Sequence, residues 1–128
     1  MKPLSLYIHV PFCARKCAYC DFASYPGRET DWRRYFDEIA TEIRLWSGET
    51  DFGLLSERYR VISMFIGGGT PTLVDASYIE RVIDACRAIV PFEPDAEITI
   101  EGNPGTLTPD KLGTVHLSRA NGARFFRL

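Results

Sequence analysis

Leu4-Ser-Leu-Tyr-Ile-His-Val10-Pro-Phe-Cys13-Ala-Arg-Lys-Cys17-Ala-Tyr-Cys20 is the stretch on which the fold turns. Leu4 to Val10 are β-branched and aromatic in character and are stopped by Pro11, which predicts a first strand. A loop carrying three cysteines follows, from Pro11 to about Gly27. Trp32, Tyr35, Phe36, Ile39, Ile43 and Trp46 then recur at steps of three and four, with Asp37, Glu38, Glu42 and Arg44 facing elsewhere. That spacing predicts an amphipathic helix, with Thr30 or Asp31 to cap its start and Gly48 its end. Gly48 to Gly53 reads as a flexible connection.

The same order repeats downstream. Arg60 to Ile66 is a short apolar run, expected of a strand covered on both faces. Gly67-Gly-Gly-Thr-Pro-Thr72 is the turn after it. Ser77-Tyr-Ile-Glu80 has the form of a capping box, and Ile79, Val82, Ile83, Cys86 and Ile89 continue it as a second helix. Glu97 to Glu101 alternates like a third strand and stops at Gly102-Asn-Pro-Gly105. Thr108 and Pro109 fit a cap and first helical position, Gly113 weakens the helix they open, and Arg124 to Leu128 resembles a fourth strand.

Strands alternating with helices imply parallel pairing and right-handed crossovers. The loops after the strands then gather at one sheet edge, where such folds bind ligands. The cysteine loop, the glycine turn and the Glu101-Gly-Asn-Pro segment are therefore expected to converge. Three βα units and a stub leave an edge unpaired, and a closed eight-stranded barrel needs about 250 residues. The expectation is an α/β fragment, the N-terminal part of a parallel βα barrel.

Composition narrows the function classes. The 128 residues are 45% apolar and 25% charged, and 15 Lys and Arg against 17 Asp and Glu give a formal net charge of −2. No excess of positive charge is available for a phosphate backbone, which argues against a nucleic-acid partner. No apolar run approaches the ~20 residues of a membrane span, and the N-terminus lacks a secretory pattern. Three of the four cysteines crowd into eight residues, unlike a disulfide scaffold, so a reducing, cytoplasmic setting is expected.

Three thiolates so close together can turn onto one soft metal centre. A structural zinc site with His9 as fourth ligand is one reading, although zinc sites usually use two separated ligand pairs and no second pair exists here. Cys86 shares a helix face with Val82 and Ile83 and reads as a small buried hydrophobe. Three thiolates without a fourth suit a four-iron cluster with one iron open to a ligand.

Tyr7-Ile-His-Val-Pro-Phe-Cys13-Ala-Arg-Lys-Cys17-Ala-Tyr-Cys20-Asp-Phe22, with Gly67 to Thr72 and Glu101 to Gly105, resembles the radical S-adenosylmethionine (SAM) enzymes over roughly residues 4 to 112. The most similar branch is the oxygen-independent coproporphyrinogen III oxidase group, which includes the HemW-type heme chaperones. The resemblance implies a partial (β/α) barrel whose [4Fe–4S] cluster is held by Cys13, Cys17 and Cys20. An electron from the cluster would cleave SAM to methionine and a 5′-deoxyadenosyl radical. It also implies SAM contacts from Tyr7, Gly68, Gly69, Thr70 and Glu101, with Tyr19 lying against the adenine.

Each of these has a plainer reading. The glycines suit a turn with positive φ, Glu101 a solvated strand end, and Tyr7 a core aromatic. The lack of a Gly-Lys-Ser/Thr after the glycines argues against a nucleotide P-loop. His9 reads as a packing residue behind the site, and Asp21 as a turn residue. Arg15 and Lys16 either favour the thiolate form of the cysteines or form a solvated pair.

Two departures from the family pattern matter. The porphyrinogen oxidases carry a further cysteine two residues after the third ligand, where this chain has Phe22. From Gly113 onward the sequence diverges from the family's Ser-x-Gly-x-Gln continuation. A tail over residues 113–128, without the later SAM contacts or a C-terminal domain, and a fragment inactive on its own are expected. Phe22 favours a heme chaperone that transfers heme to acceptor proteins and draws on an electron-donor protein. The alternatives are a porphyrinogen oxidase and a structural zinc module.

Cys17→Ala is expected to abolish cluster assembly on anaerobic reconstitution, because two thiolates do not anchor a four-iron core. Cys86→Ala leaves iron content unchanged and costs only stability, ~1 kcal/mol or more from lost packing. Iron and sulfide quantitation on both variants checks the pair.

Overall fold

The computed structural model describes residues 1–14, 25–26, 29–48, 53–111 and 123–127. Its framework is a parallel sheet of four strands, in the order β1 (Lys2–Val10), β4 (Tyr59–Gly68), β5 (Phe92–Glu101) and β6 (Ala123–Arg127). The helices α1 (Trp32–Leu45) and α3 (Ala76–Ile89) connect successive strands and pack against each other. Sequential order and parallel pairing agree with the alternation read from the chain.

The sheet has two unlike faces. Val10, Met64, Ile66, Ile98 and Ile100 form one core with Phe36 and Ile43 of α1 and with Ile79, Val82, Ile83 and Cys86 of α3. Phe36 and Tyr78 stack across the helix pair at 5.0 Å, and Arg81 bonds Asp37 at 2.6 Å on its surface. Tyr35 Oη donates to the His9 carbonyl at 2.6 Å, which ties α1 to the end of β1. The opposite face carries Ser5 and Tyr7, Ser63 and Phe65, and Glu97 and Thr99, aligned rung by rung across three strands.

That second face corrects one expectation. The β4 run is not covered on both sides: among the described residues no helix lies over the second face, and Ile62 is 46% exposed beside a register shift between Val61 and Ser63. Other boundaries move too. Asp75, not Ser77, caps α3, its side chain accepting from the Ser77 amide at 2.9 Å; the Ser77 hydroxyl first and this amide second draw its carboxyl below the usual range. Trp46 rather than Gly48 closes α1, and Asp31 precedes it without a side-chain cap bond, because a 3₁₀ turn (Glu29–Asp31) already leads in.

Inside the expected cysteine loop, β2 (Phe12–Cys13) pairs in parallel with β3 (Tyr25–Pro26). A four-residue helix α2 (Leu55–Arg58) precedes β4. Residues 109–111 are helical, and the Lys111 amide donates to Thr108 Oγ1 at 3.3 Å, in keeping with the cap read there. The predicted connection Gly48–Gly53 and the tail from Gly113 fall largely outside the described residues.

Cys86 is 3% exposed, and burial pushes its thiol from an ordinary value near 9 up to about 11. The neutral thiol is thus the form the fold favours, so its contribution is complete below pH 9 and is lost as pH rises to about 11. Denaturant unfolding across this window is expected to show wild type losing about 2 kcal/mol more than Cys86→Ala. Parallel pH profiles for the two proteins would contradict it.

Candidate cofactor-binding site

Parallel pairing brings the C-terminal ends of β1, β4 and β5 to one edge, with His9 opposite Gly67 and Val10 opposite Gly68. The chain does not leave β4 at once. The Gly69 amide donates to the Val10 carbonyl at 2.8 Å and the Thr70 amide to the Phe12 carbonyl at 2.6 Å. The glycine turn therefore lies along the entrance to the cysteine loop and fixes Cys13, which is 6% exposed. Cys17, Tyr19 and Cys20, with Arg15, Lys16, Asp21 and Phe22, lie outside the described residues.

Glycine is required here for two separate reasons. Gly68 adopts φ +122°, which L side chains rarely occupy. At Gly69 the constraint is space, since a Cβ would collide with the Phe12 carbonyl. A Cβ at Gly67 would come within 2.6 Å of the Phe65 ring and 3.0 Å of Glu101 Oε2. The bare backbone at 67 is what lets the Glu101 carboxylate lean over the end of β4.

Tyr7 is 57% exposed on the open face, stacked on Phe65 at 6.0 Å, with its hydroxyl 3.1 Å from His9 Nδ1. It is not a core aromatic. Partial desolvation and, second, the nearby Glu101 charge raise its phenol above the usual value, so it is present as a neutral donor. Among the described residues the Glu101 carboxylate has no hydrogen-bond partner, although its charge reaches Tyr7. The amides of Gly69 and Thr70 are already satisfied, which leaves this turn with carbonyls and the Thr70 hydroxyl to offer a ligand. Cys86 stands apart in the core, and among the described residues no three His, Cys, Asp or Glu side chains cluster about a common point.

The sequence reading missed a network that joins the second and third loops. Thr72, only 6% exposed, shares a 2.6 Å hydroxyl contact with Thr106 and accepts from the Asn103 amide at 3.1 Å. Thr106 Oγ1 donates to the Asn103 carbonyl at 2.9 Å, so the single proton left to the pair runs from Thr72 to Thr106. Lys111 Nζ donates to the carbonyls of Thr72, Leu73 and Thr106 at 2.6, 3.2 and 3.1 Å. Hydrogen bonds from a charged donor contribute about 1.5–3 kcal/mol each, so the three together exceed the ~2 kcal/mol of rotamer entropy a lysine loses. The only sequence signal was a threonine in each of the two Pro- and Gly-rich turns.

A groove of about 580 Å³ runs between β1 and α1, walled by Leu6, Ile8, Ile39, Trp46 and Ile89. It shares Tyr7 and His9 with the strand-end cluster, and Tyr35, Tyr59 and the Glu42 carboxylate add polar groups to a mostly aliphatic wall.

Residues 7–116 match the Radical SAM superfamily. Heme chaperone HemW of Buchnera aphidicola subsp. Schizaphis graminum is 41% identical over 108 residues, which are 84% of this chain and 27% of that protein. Heme chaperone HemW of Escherichia coli (strain K12) is 39% identical over 112 residues, 87% of this chain and 28% of the relative. Among solved structures, coproporphyrinogen III oxidase (HemN) from Escherichia coli, a radical SAM enzyme, aligns with a TM-score of 0.82 at 32% identity. That alignment covers 98% of this chain and 27% of the other. The chain thus spans little more than a quarter of the length of the proteins it matches.

Overpacking at the glycine turn is the local test. Gly69→Ala is expected to destabilise by about 1–3 kcal/mol, because backbone rather than a mobile side chain must yield. Gly48→Ala, whose Cβ would meet only the Leu45 carbonyl at 4.0 Å, should stay within about 0.5 kcal/mol of wild type. Urea unfolding of both measures the difference.

Proposed function

The chain belongs to the Radical SAM superfamily, and from that premise we propose that it binds a [4Fe–4S] cluster through Cys13, Cys17 and Cys20, binds SAM beside it, and serves in transferring heme to acceptor proteins. The observation that carries this reading is the meeting of three strand ends. The Thr70 amide bonds the carbonyl of Phe12, the residue before Cys13, and Glu101 leans over Gly67 at the same edge.

The residues present fit both groups. Three thiols within eight residues are a soft donor set that leaves a fourth position open. Next to Cys13 runs a turn whose Gly67 and Gly69 pack too tightly against Phe65, Glu101 and Phe12 to carry a side chain, and the Glu101 carboxylate beside Gly67 has no hydrogen-bond partner among the described residues. The bound cluster supplies single electrons to SAM, and the protein's part is placement.

The Gly68 and Gly69 carbonyls and the Thr70 hydroxyl would offer acceptors to the amino group of SAM, the Thr70 carbonyl being taken by the Leu73 amide. Glu101 accepts from that amino group or from the ribose hydroxyls. Tyr7, kept neutral and braced by Phe65 and His9, donates from the open face. Tyr19, outside the described residues, would supply the contact to the adenine. In this reading residues 1–128 form the N-terminal portion of a radical SAM core, family-like to about residue 112 with a divergent tail over 113–128, and the protein works in the cytoplasm with an electron-donor protein. Among the described residues, no helix is long and apolar enough to cross a membrane.

The HemW relatives and Phe22, which stands where porphyrinogen oxidases carry a cysteine, support heme transfer. The likeness to the HemN structure favours the second reading, a porphyrinogen oxidase. Anaerobic reconstitution is expected to give iron and sulfide in equal, roughly four-fold amounts per chain. Heme taken up and passed unchanged to an apo-protein supports the chaperone. Anaerobic, SAM-dependent conversion of coproporphyrinogen III to protoporphyrinogen IX by the protein would replace it with the oxidase. A colourless protein with one zinc per chain would overturn both.

A further inference from the structure

Lys111 lies outside every motif discussed so far, yet its ammonium is committed to main chain at both loops. Its three N–H groups meet three carbonyls, those of Thr72 and Leu73 in the turn after the glycines and that of Thr106 in the turn after Glu101. An ammonium has three donors and no acceptor, so this set satisfies it completely. The acceptors are the carbonyls of 3₁₀ turns (Pro71–Leu73 and Pro104–Thr106), whose last carbonyls lack partners within the turn.

A surface lysine usually keeps its head in water. Here the side chain reaches back from the first turn after Thr108 and clamps two segments more than 30 residues apart in sequence. The Thr72–Thr106 hydroxyl contact and the Asn103 amide bond close the same junction from inside. Gly68 to Thr70 lie immediately before the clamped 71–73 turn, and Glu101 two residues before Asn103. Beyond the last β4–β5 rung, Ile66 opposite Ile100, this junction is what braces the turn carbonyls relative to the Glu101 strand end.

We propose that Lys111 is a positioning residue for the SAM site, holding the glycine turn and the Glu101 strand end at a fixed separation without touching the cofactor. The inference rests on the proposed function above, which gives those two segments a common ligand. Cys13 lies outside the clamp: it is held through Thr70 and Phe12, so cluster assembly should not depend on Lys111.

The test uses the full chain, reconstituted anaerobically, as wild type, Lys111→Met, Lys111→Arg and the exposed-lysine control Lys2→Met. Iron and sulfide content, SAM affinity by equilibrium dialysis, and amide hydrogen exchange over residues 70–75 and 102–107 are measured on each. Lys111→Met is expected to keep wild-type iron and sulfide, weaken SAM binding about tenfold and speed exchange in both segments. Lys111→Arg should recover most of the affinity, since a guanidinium also donates to several carbonyls, and Lys2→Met should match wild type.

Should Lys111→Met not fold, Lys111→Gln, which keeps two donors, carries the comparison with an intermediate loss. Unchanged SAM affinity in the Lys111 variant, with wild type binding normally, overturns the proposal alone. A wild-type chain that assembles a cluster but binds no SAM overturns the reading of the site, and this proposal with it. Failure of Lys111→Arg to recover affinity would also contradict a positioning role.

Discussion

Two backbone hydrogen bonds, from the amides of Gly69 and Thr70 to the carbonyls of Val10 and Phe12, hold the candidate site together. They turn a strand-end loop into a splint for the segment that carries the first cysteine. The approach they need is closer than any side chain at 69 permits, which is why the sequence has glycine there. Without that approach, parallel pairing would still deliver the strand ends to one edge, but nothing would fix Cys13 relative to the turn beside it.

The sheet divides its labour between its faces. One is sealed by α1 and α3 over Met64, Ile66, Ile98 and Ile100, and supplies the hydrophobic stability. The other presents a ladder of polar and aromatic groups: a serine pair at 2.8 Å, then Tyr7 against Phe65, and toward the edge His9, Gly67 and Glu101. Ile62 and Tyr7, exposed here, are what an apolar reading of the strands would have buried.

Much of this was legible in the sequence. Residue types and periodicity located β1, α1, β4, α3 and β5, and strand–helix alternation implied the parallel order, because these signals come from the packing of one buried face. The alternation in Glu97–Glu101 correctly put Ile98 and Ile100 inside. Finer features escaped for local reasons. A Ser-x-x-Glu pattern at Ser77 outweighed the Asp75 carboxylate two residues earlier, although Asp75 makes the cap. Backbone partners are not written in residue identity, so the β2–β3 pairing, the Val61/Ser63 irregularity and the threonine–lysine junction could not be read from it. The roles assigned to the cysteines and to the glycine turn came from the family resemblance, to which the geometry adds the order of the parts.

The account stands on SAM lying within bonding reach of an open iron at this edge. The most direct measurement is electron-nuclear double resonance on the reduced, reconstituted chain, with SAM carrying ¹⁵N in its amino group and ¹⁷O in its carboxylate. The account predicts hyperfine coupling of both labels to the cluster, lost in Glu101→Ala together with SAM affinity. A reduced cluster whose spectrum ignores the labelled cofactor at saturating concentration would contradict it.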